Sequence, residues 1–285
     1  MQGDVFNVGP GELVLIGDFK ENIHLPLEID QEGYQYYEQA QITCLSIVAH
    51  TCNLYGLHVK RVYTLLSRCL THTAGFVLKC LRLVLEQPEF QDIQHATWWS
   101  DGGPHFRCKE LVYALLSNTP PFLPNCSFSV NFFAPQHGKS EVDGAFGFFS
   151  RLMRVALPEQ GVESLNELLT FFENQTKMYK NADIENRQKY KFFKINCTRL
   201  PSKAKKLVIS NFKECLSFTK QDDMLVSAPE SAADEESKVF SPFKFKLEEV
   251  ASKVKTSTAS EENPKVFDDV VNKQLKSLQK SLSSK

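Results

Sequence analysis

Ala96-Thr97-Trp98-Trp99-Ser100-Asp101-Gly102-Gly103-Pro104-His105-Phe106-Arg107 is an apolar run that ends in an acid at a glycine turn. Ala96 to Trp99 reads as a buried strand. Gly102, Gly103 and Pro104 break it, so Asp101 is expected where a strand leaves its sheet. In open α/β sheets the crevice outside the carboxyl ends of the strands is the usual ligand position, and a carboxylate there can hold a metal ion. Asp-Gly is also ordinary turn chemistry. One acid is not a site, so the question is whether other elements bring acids to the same place.

Working toward the N-terminus, Glu12 to Leu25 is apolar through Ile16 and then alternates, which predicts a long strand with Asp18 in its middle. An acid inside an apolar run is costly unless paired or metal-bound. Ala40 to His50 and Val59 to Leu66 read as two further strands, and Thr73 to Glu86 carries apolar residues at helical spacing before Pro88. Beyond the central strand come a helix from about Cys108 to Leu116 and a fifth strand, Phe128 to Phe133. Helical patterns follow at Val142 to Leu157 and Leu165 to Tyr179. The order β-β-β-α-β-α-β-α is that of the ribonuclease-H-like fold. The expectation is therefore an α/β protein with a mixed five-stranded sheet flanked by helices at 11–157, a helical basic extension at 158–220, and a low-complexity tail at 221–285.

Charge supports that division. Residues 1–150 carry 9 Lys/Arg against 15 Asp/Glu, residues 151–220 carry 14 against 7, and residues 221–285 carry 10 against 12. In the basic segment Lys177, Lys191, Lys194, Lys203, Lys205 and Lys206 interleave with Tyr179, Tyr190, Phe192 and Phe193. Two readings stand side by side: a track for nucleic acid, with lysines on phosphates and rings on bases, and a solvated helical face whose apolar side lies on the core. From Gln221 the chain is rich in Ser, Glu, Lys and Ala, a disordered linker by composition. Val266, Phe267, Val270, Val271, Leu275 and Leu278 recur at helical spacing within 264–281, an amphipathic helix suited to a protein partner or to solvent.

No basic, apolar leader opens the chain and no apolar run reaches membrane-spanning length, so an intracellular protein with no membrane contact is expected. The eight cysteines lack a repeated spacing and read as reduced, buried thiols. Cys69/His72, His50/Cys52 and His105/Cys108 have locally metal-like spacing but belong to no four-ligand set.

Asp18-Phe19, the block Trp99 to Phe106, and the block Phe132-Phe133-Ala134-Pro135-Gln136-His137-Gly138-Lys139 to Asp143-Gly144 together resemble the catalytic core of DDE-type DNA transposases. The likeness is to transposon-derived proteins of eukaryotes in particular and covers roughly residues 11–155. It implies Mg²⁺ (or Mn²⁺) held by an acidic triad, DNA strand cleavage and transfer by in-line displacement, and a nuclear location. Asp18 and Asp101 match the first two acids. The third is Asp143, which keeps the His-Gly-Lys to Asp-Gly spacing, with Glu141 as runner-up because Ser140 to Asp143 also reads as a capping box.

His137 and Lys139, and after the central acid His105 and Arg107, are expected to contact the nucleic-acid backbone, as are Lys203, Lys205 and Lys206. Homo-oligomerisation stays open. Two alternatives to an active transposase stand at this point: a domesticated descendant that binds DNA without cutting it, and a ribonuclease-H-like nuclease.

Overall fold

The computed structural model describes residues 7–28, 39–53, 55–134, 141–178, 190–196, 203–230, 237–250 and 255–256. The first three strands are β1 (Glu12–Leu25), β2 (Ala40–Cys52) and β3 (His58–Ser67), joined as an antiparallel meander. Helix α1 (Ala74–Leu85) follows, with Thr73 capping it through the amide of Phe76. Then come β4 (His95–Ser100), α2 (Lys109–Ser117), β5 (Ser127–Phe132), α3 (Glu141–Val155) and α4 (Leu165–Met178). Strands β4 and β5 run parallel to β1.

The expected five-stranded, ribonuclease-H-like sheet is corrected here. The sheet has nine strands in the order β10 (Val239–Pro242), β9 (Met224–Ala228), β8 (Ser217–Gln221), β5, β4, β1, β2, β3, β6 (Tyr190–Ile195), and the described residues hold eleven strands against four helices. Strand β6 (Tyr190–Ile195) adds parallel to β3, opening with Val62 opposite Tyr190. At the other edge β8 (Ser217–Gln221), β9 (Met224–Ala228) and β10 (Val239–Pro242) add antiparallel beyond β5. The extension expected to be helical at 158–220 is helical only in α4. The stretch read as a linker from Gln221 holds β9, β10 and β11 (Phe245–Glu249), the last pairing with β7 (Lys203–Leu207) in a separate ribbon.

The physical reason is burial: Phe218, Leu225, Val226 and Ala228 lie in the core, although the polar residues around them dilute the composition. The amphipathic segment at 264–281 lies outside the described residues. Among the described residues no helix is long and apolar enough to cross a membrane, and seven cysteines carry free thiols.

Two apolar layers sandwich the sheet. On one face Leu13, Leu15, Leu45, Ile47 and Trp98 pack with α1 and α2 through Val77, Leu81, Leu111 and Leu115. On the other Val14, Ile16, Val48 and Trp99 pack with α3 and α4 through Val142, Phe149, Leu168 and Phe172. This is why β1 is apolar at every position from Leu13 to Ile16: successive side chains enter different cores. Trp98 and Trp99 divide in the same way.

Candidate acidic site

The alternation of β1 and β4 aims the acids. Leu13, Leu15 and Phe19 join the core beneath α1 and α2, so Asp18 belongs to the opposite face, beside α3. In β4, Trp98 Nε1 donates to Ser100 Oγ at 3.1 Å on the α1/α2 side, and Asp101 follows directly after the strand, its Oδ1 4.0 Å from Nε2 of His105. Asp143 lies exposed in the first turn of α3.

Asp18 feels the other two acids. Burial pushes the Asp18 carboxyl up to about 6, and the negative charges of Asp101 and then Asp143 add to the rise. The amide of Phe19, donating to Asp18 Oδ1 at 2.8 Å, offsets part of it. Carboxylates are hard oxygen donors of the kind Mg²⁺ and Mn²⁺ take. Among the described residues no group of three or more His, Cys, Asp or Glu side chains forms a ready cage for a metal ion. Mg²⁺ commonly takes one or two carboxylates from a protein, with water and substrate completing its shell.

Two glycines shape the site. Gly17 lies under the Trp98 indole: a Cβ there would stand 2.3 Å from Cη2, so only glycine lets β1 run past this fully buried ring. At Gly103 a Cβ would stand 2.8 Å from His105 Cε1 and 3.0 Å from Asp101 Oδ1. The Gly103 amide donates to that same Oδ1 at 3.0 Å, closing the Asp-Gly turn that the sequence suggested. Phe19 stacks on His72 at 4.2 Å between ring centroids and meets the rings of His105 and Phe106 at 4.8 and 5.4 Å. His72 Nε2 lies 3.2 Å from Thr43 Oγ1, whose hydroxyl donates to the Cys69 carbonyl, so the imidazole is the donor to Thr43.

Glu141 is placed apart from this group. Its carboxylate pairs with Lys60 on β3 and lies 3.4 Å from Nε2 of the buried His50 on β2, whose Nδ1 is 2.8 Å from His58 Nε2. Burial alone would raise the Glu141 carboxyl, but Lys60 and the two histidines outweigh it and hold it below the ordinary range. Of the two candidates for third acid, Asp143 is the one coupled to Asp18.

The expected nucleic-acid contacts divide. His137 and Lys139 lie outside the described residues. Arg107 is turned inward, donating to the carbonyls of Lys213 and Cys215, where it braces the turn before β8. Lys206 pairs with Glu248 at 2.8 Å, and Lys205 covers the Phe245 ring at 5.1 Å; Lys203 and Lys205 are exposed on β7.

Elsewhere in the basic stretch Lys191 is held by Glu89 at 2.7 Å and Lys194 by Asn166 at 2.9 Å. Phe192 stacks on Phe172, and Tyr190 on Phe148. The described rings of this stretch pack on the core, but from strand β6 and not from the helical face expected. What the sequence left unread is the role of Gly17, of the Phe19-His72-His105 cluster and of the Lys60-His50 pairing, all of which depend on long-range neighbours. The glycine before Asp18 and the double tryptophan were the available signals.

The family described as "Domain of unknown function (DUF8701)" matches residues 5–228, more than half of the chain, and the chain belongs to it. No curated protein and no solved structure matches.

Proposed function

We propose that this member of the DUF8701 family is a transposase-like protein that acts on DNA in the nucleus, cleaving and transferring strands through Asp18, Asp101 and Asp143. One observation carries the reading. Acids on a first strand, after a fourth strand and on a helix far along the chain come near enough that their charges add to the rise that burial gives the Asp18 carboxyl. A protein gains no stability from gathering like charges, and such groups mark sites that bind a cation or handle protons.

Asp18 and Asp101 would hold Mg²⁺ or Mn²⁺, with Asp143 at its edge. Such an ion supplies activation of the attacking oxygen and stabilisation of the leaving one. The chain's own part is to fix the carboxylates. The Phe19 and Gly103 amides orient Asp18 and Asp101, and the two apolar cores hold β1 and β4 in register beneath them.

The test is nicking of supercoiled plasmid in Mg²⁺ or Mn²⁺ by the protein and by Asp18→Asn and Asp101→Asn variants. Cleavage abolished by both substitutions is the expected result. Cleavage that persists in both variants would sink the assignment, and salt-sensitive DNA binding by a protein that never cuts would point to a binding role.

A further inference from the structure

A cleft of about 480 Å³ lies between α4 and the loop that leads into it, lined by Val162, Phe171 and Met178 among others. Its walls are fixed. Val162 and Leu27 exchange backbone hydrogen bonds at 2.8 Å, and a Cβ on Gly161 would stand 2.7 Å from the Leu27 carbonyl oxygen. The amide of Glu167 donates to Ser164 Oγ and the amide of Glu163 to Glu167 Oε2, a capping box that sets the start of α4. Apolar surface is nevertheless left uncovered: Met178 is 69% exposed, and Val155, next to the lining residue Ala156, is 64% exposed. Among the described residues that line the cleft, Glu167 alone is charged.

A segment with an apolar stripe, lysines and no acid would complement such a cleft in shape and charge. The chain holds one. Val270 to Lys285 includes Lys273, Lys276, Lys280 and Lys285 and neither Asp nor Glu. Val271, Leu275 and Leu278 repeat at the i, i+4, i+7 spacing by which a helix lays one face into a groove. A helix spreads those three over about 10 Å, and α4 runs about 18 Å from Asn166 to Met178 along the cleft.

The tether starts in the right place. Thr256 bridges Cys69 just beyond β3, and Val162 bridges Leu27 just beyond β1. Strands β1 and β3 run in the same direction on either side of β2, so both bridges lie at one end of the sheet, two strand spacings or about 10 Å apart. The chain from Thr256 to Val271 can span up to about 50 Å. We propose that residues 270–281 dock as a helix in the cleft along α4, with Val271, Leu275 and Leu278 against Phe171 and Met178 and a lysine beside Glu167. The proposal is independent of the strand-transfer reading.

The experiment is carbodiimide cross-linking of the full chain, which joins a lysine amine to a carboxylate only where the two meet, read by mass spectrometry on a mixture of isotopically light and heavy protein. Glu167 should be joined to Lys273, Lys276 or Lys280 within one chain. Those links should be roughly tenfold more abundant than links from the same lysines to exposed acids elsewhere, such as Glu86 and Glu214, as a docked segment differs from a merely tethered one. Leu275→Asp with Leu278→Asp should bring the Glu167 link down to the level of the others. So should Met178→Asp, at an exposed position where Tm stays unchanged.

Links between light and heavy chains would give the segment to a second copy and overturn the proposal. Tail lysines spread evenly over the exposed acids, or a Glu167 link that survives both sets of substitutions, would overturn it as well.

Discussion

Glu141 and Asp143 stand two residues apart on the first turn of α3 and belong to opposite electrostatic surroundings. Glu141 faces β2 and β3, where Lys60 and His50 match its charge and hold its carboxyl below the usual range. Asp143 adds its charge to that of Asp101 around Asp18, whose carboxyl is driven upward. Burial pushes the carboxyl up in both clusters; around Glu141 Lys60 and the histidines outweigh it, and around Asp18 the other acids add to it. The sign of the neighbouring charges differs: cations surround Glu141, and further acids surround Asp18.

The harshest way to break the contrast is to move β1. Gly17→Ala drives a methyl into the buried Trp98 ring. It should cost roughly 3 kcal/mol of stability, the upper range for overpacking a core that cannot yield, read as a lowered urea midpoint. The Glu141 pairing, on other strands, should survive wherever the fold does. Next is Glu141→Gln, which leaves Lys60 and His50 without their counter-charge. A loss of about 1–2 kcal/mol is expected, again by urea denaturation, with metal-dependent stabilisation retained.

The opposite sign is expected at Asp18. Its folded carboxyl titrates near 6 against an ordinary value of 3.8, so the fold binds that proton more tightly than the unfolded chain does. The stability this contributes is complete below about pH 4 and is lost as pH rises through 6. Asp18→Asn cannot ionise and should therefore be more stable than the parent at pH 8, by roughly 1 kcal/mol once solvent screening of the partly exposed carboxyl is allowed for. That gain should vanish below pH 4. Thermal melts across pH would show it, and a gain that grew toward low pH would contradict the charge-repulsion account. The smallest effect is a rise of a few degrees in the parent's Tm on adding Mn²⁺, absent in Asp18→Asn.

The same division between local and distant neighbours explains what could be read from the sequence. Strands β1 to β5 and helices α1 to α4 announce themselves through local period and breakers, as at Pro88 and at Gly102-Gly103-Pro104. Asp18 and Asp101 stand out because an acid interrupts or ends an apolar run. Strands β8 to β10 do not, because charged and small residues surround the few that enter the core, and only pairing against β5 makes them strands. That omission, together with β6 at the other edge, turned a nine-stranded sheet into an expected five-stranded one. Arg107 shows the same limit from the polar side: nothing local says that the carbonyls of Lys213 and Cys215, over a hundred residues later, take its guanidinium. The choice between Glu141 and Asp143 likewise depended on Lys60 and His50, which the sequence places far upstream.

The central claim is that the acids gathered around Asp18 do chemistry and Glu141, paired with Lys60, holds structure. It is tested most directly by plasmid nicking in Mn²⁺ with the parent, Asp143→Asn and Glu141→Gln side by side, below the melting temperature of each. The account predicts that Asp143→Asn loses cleavage by two orders of magnitude or more, on the order of a lost catalytic group, while Glu141→Gln keeps most of it. Cleavage retained by Asp143→Asn and lost in a folded Glu141→Gln would contradict it.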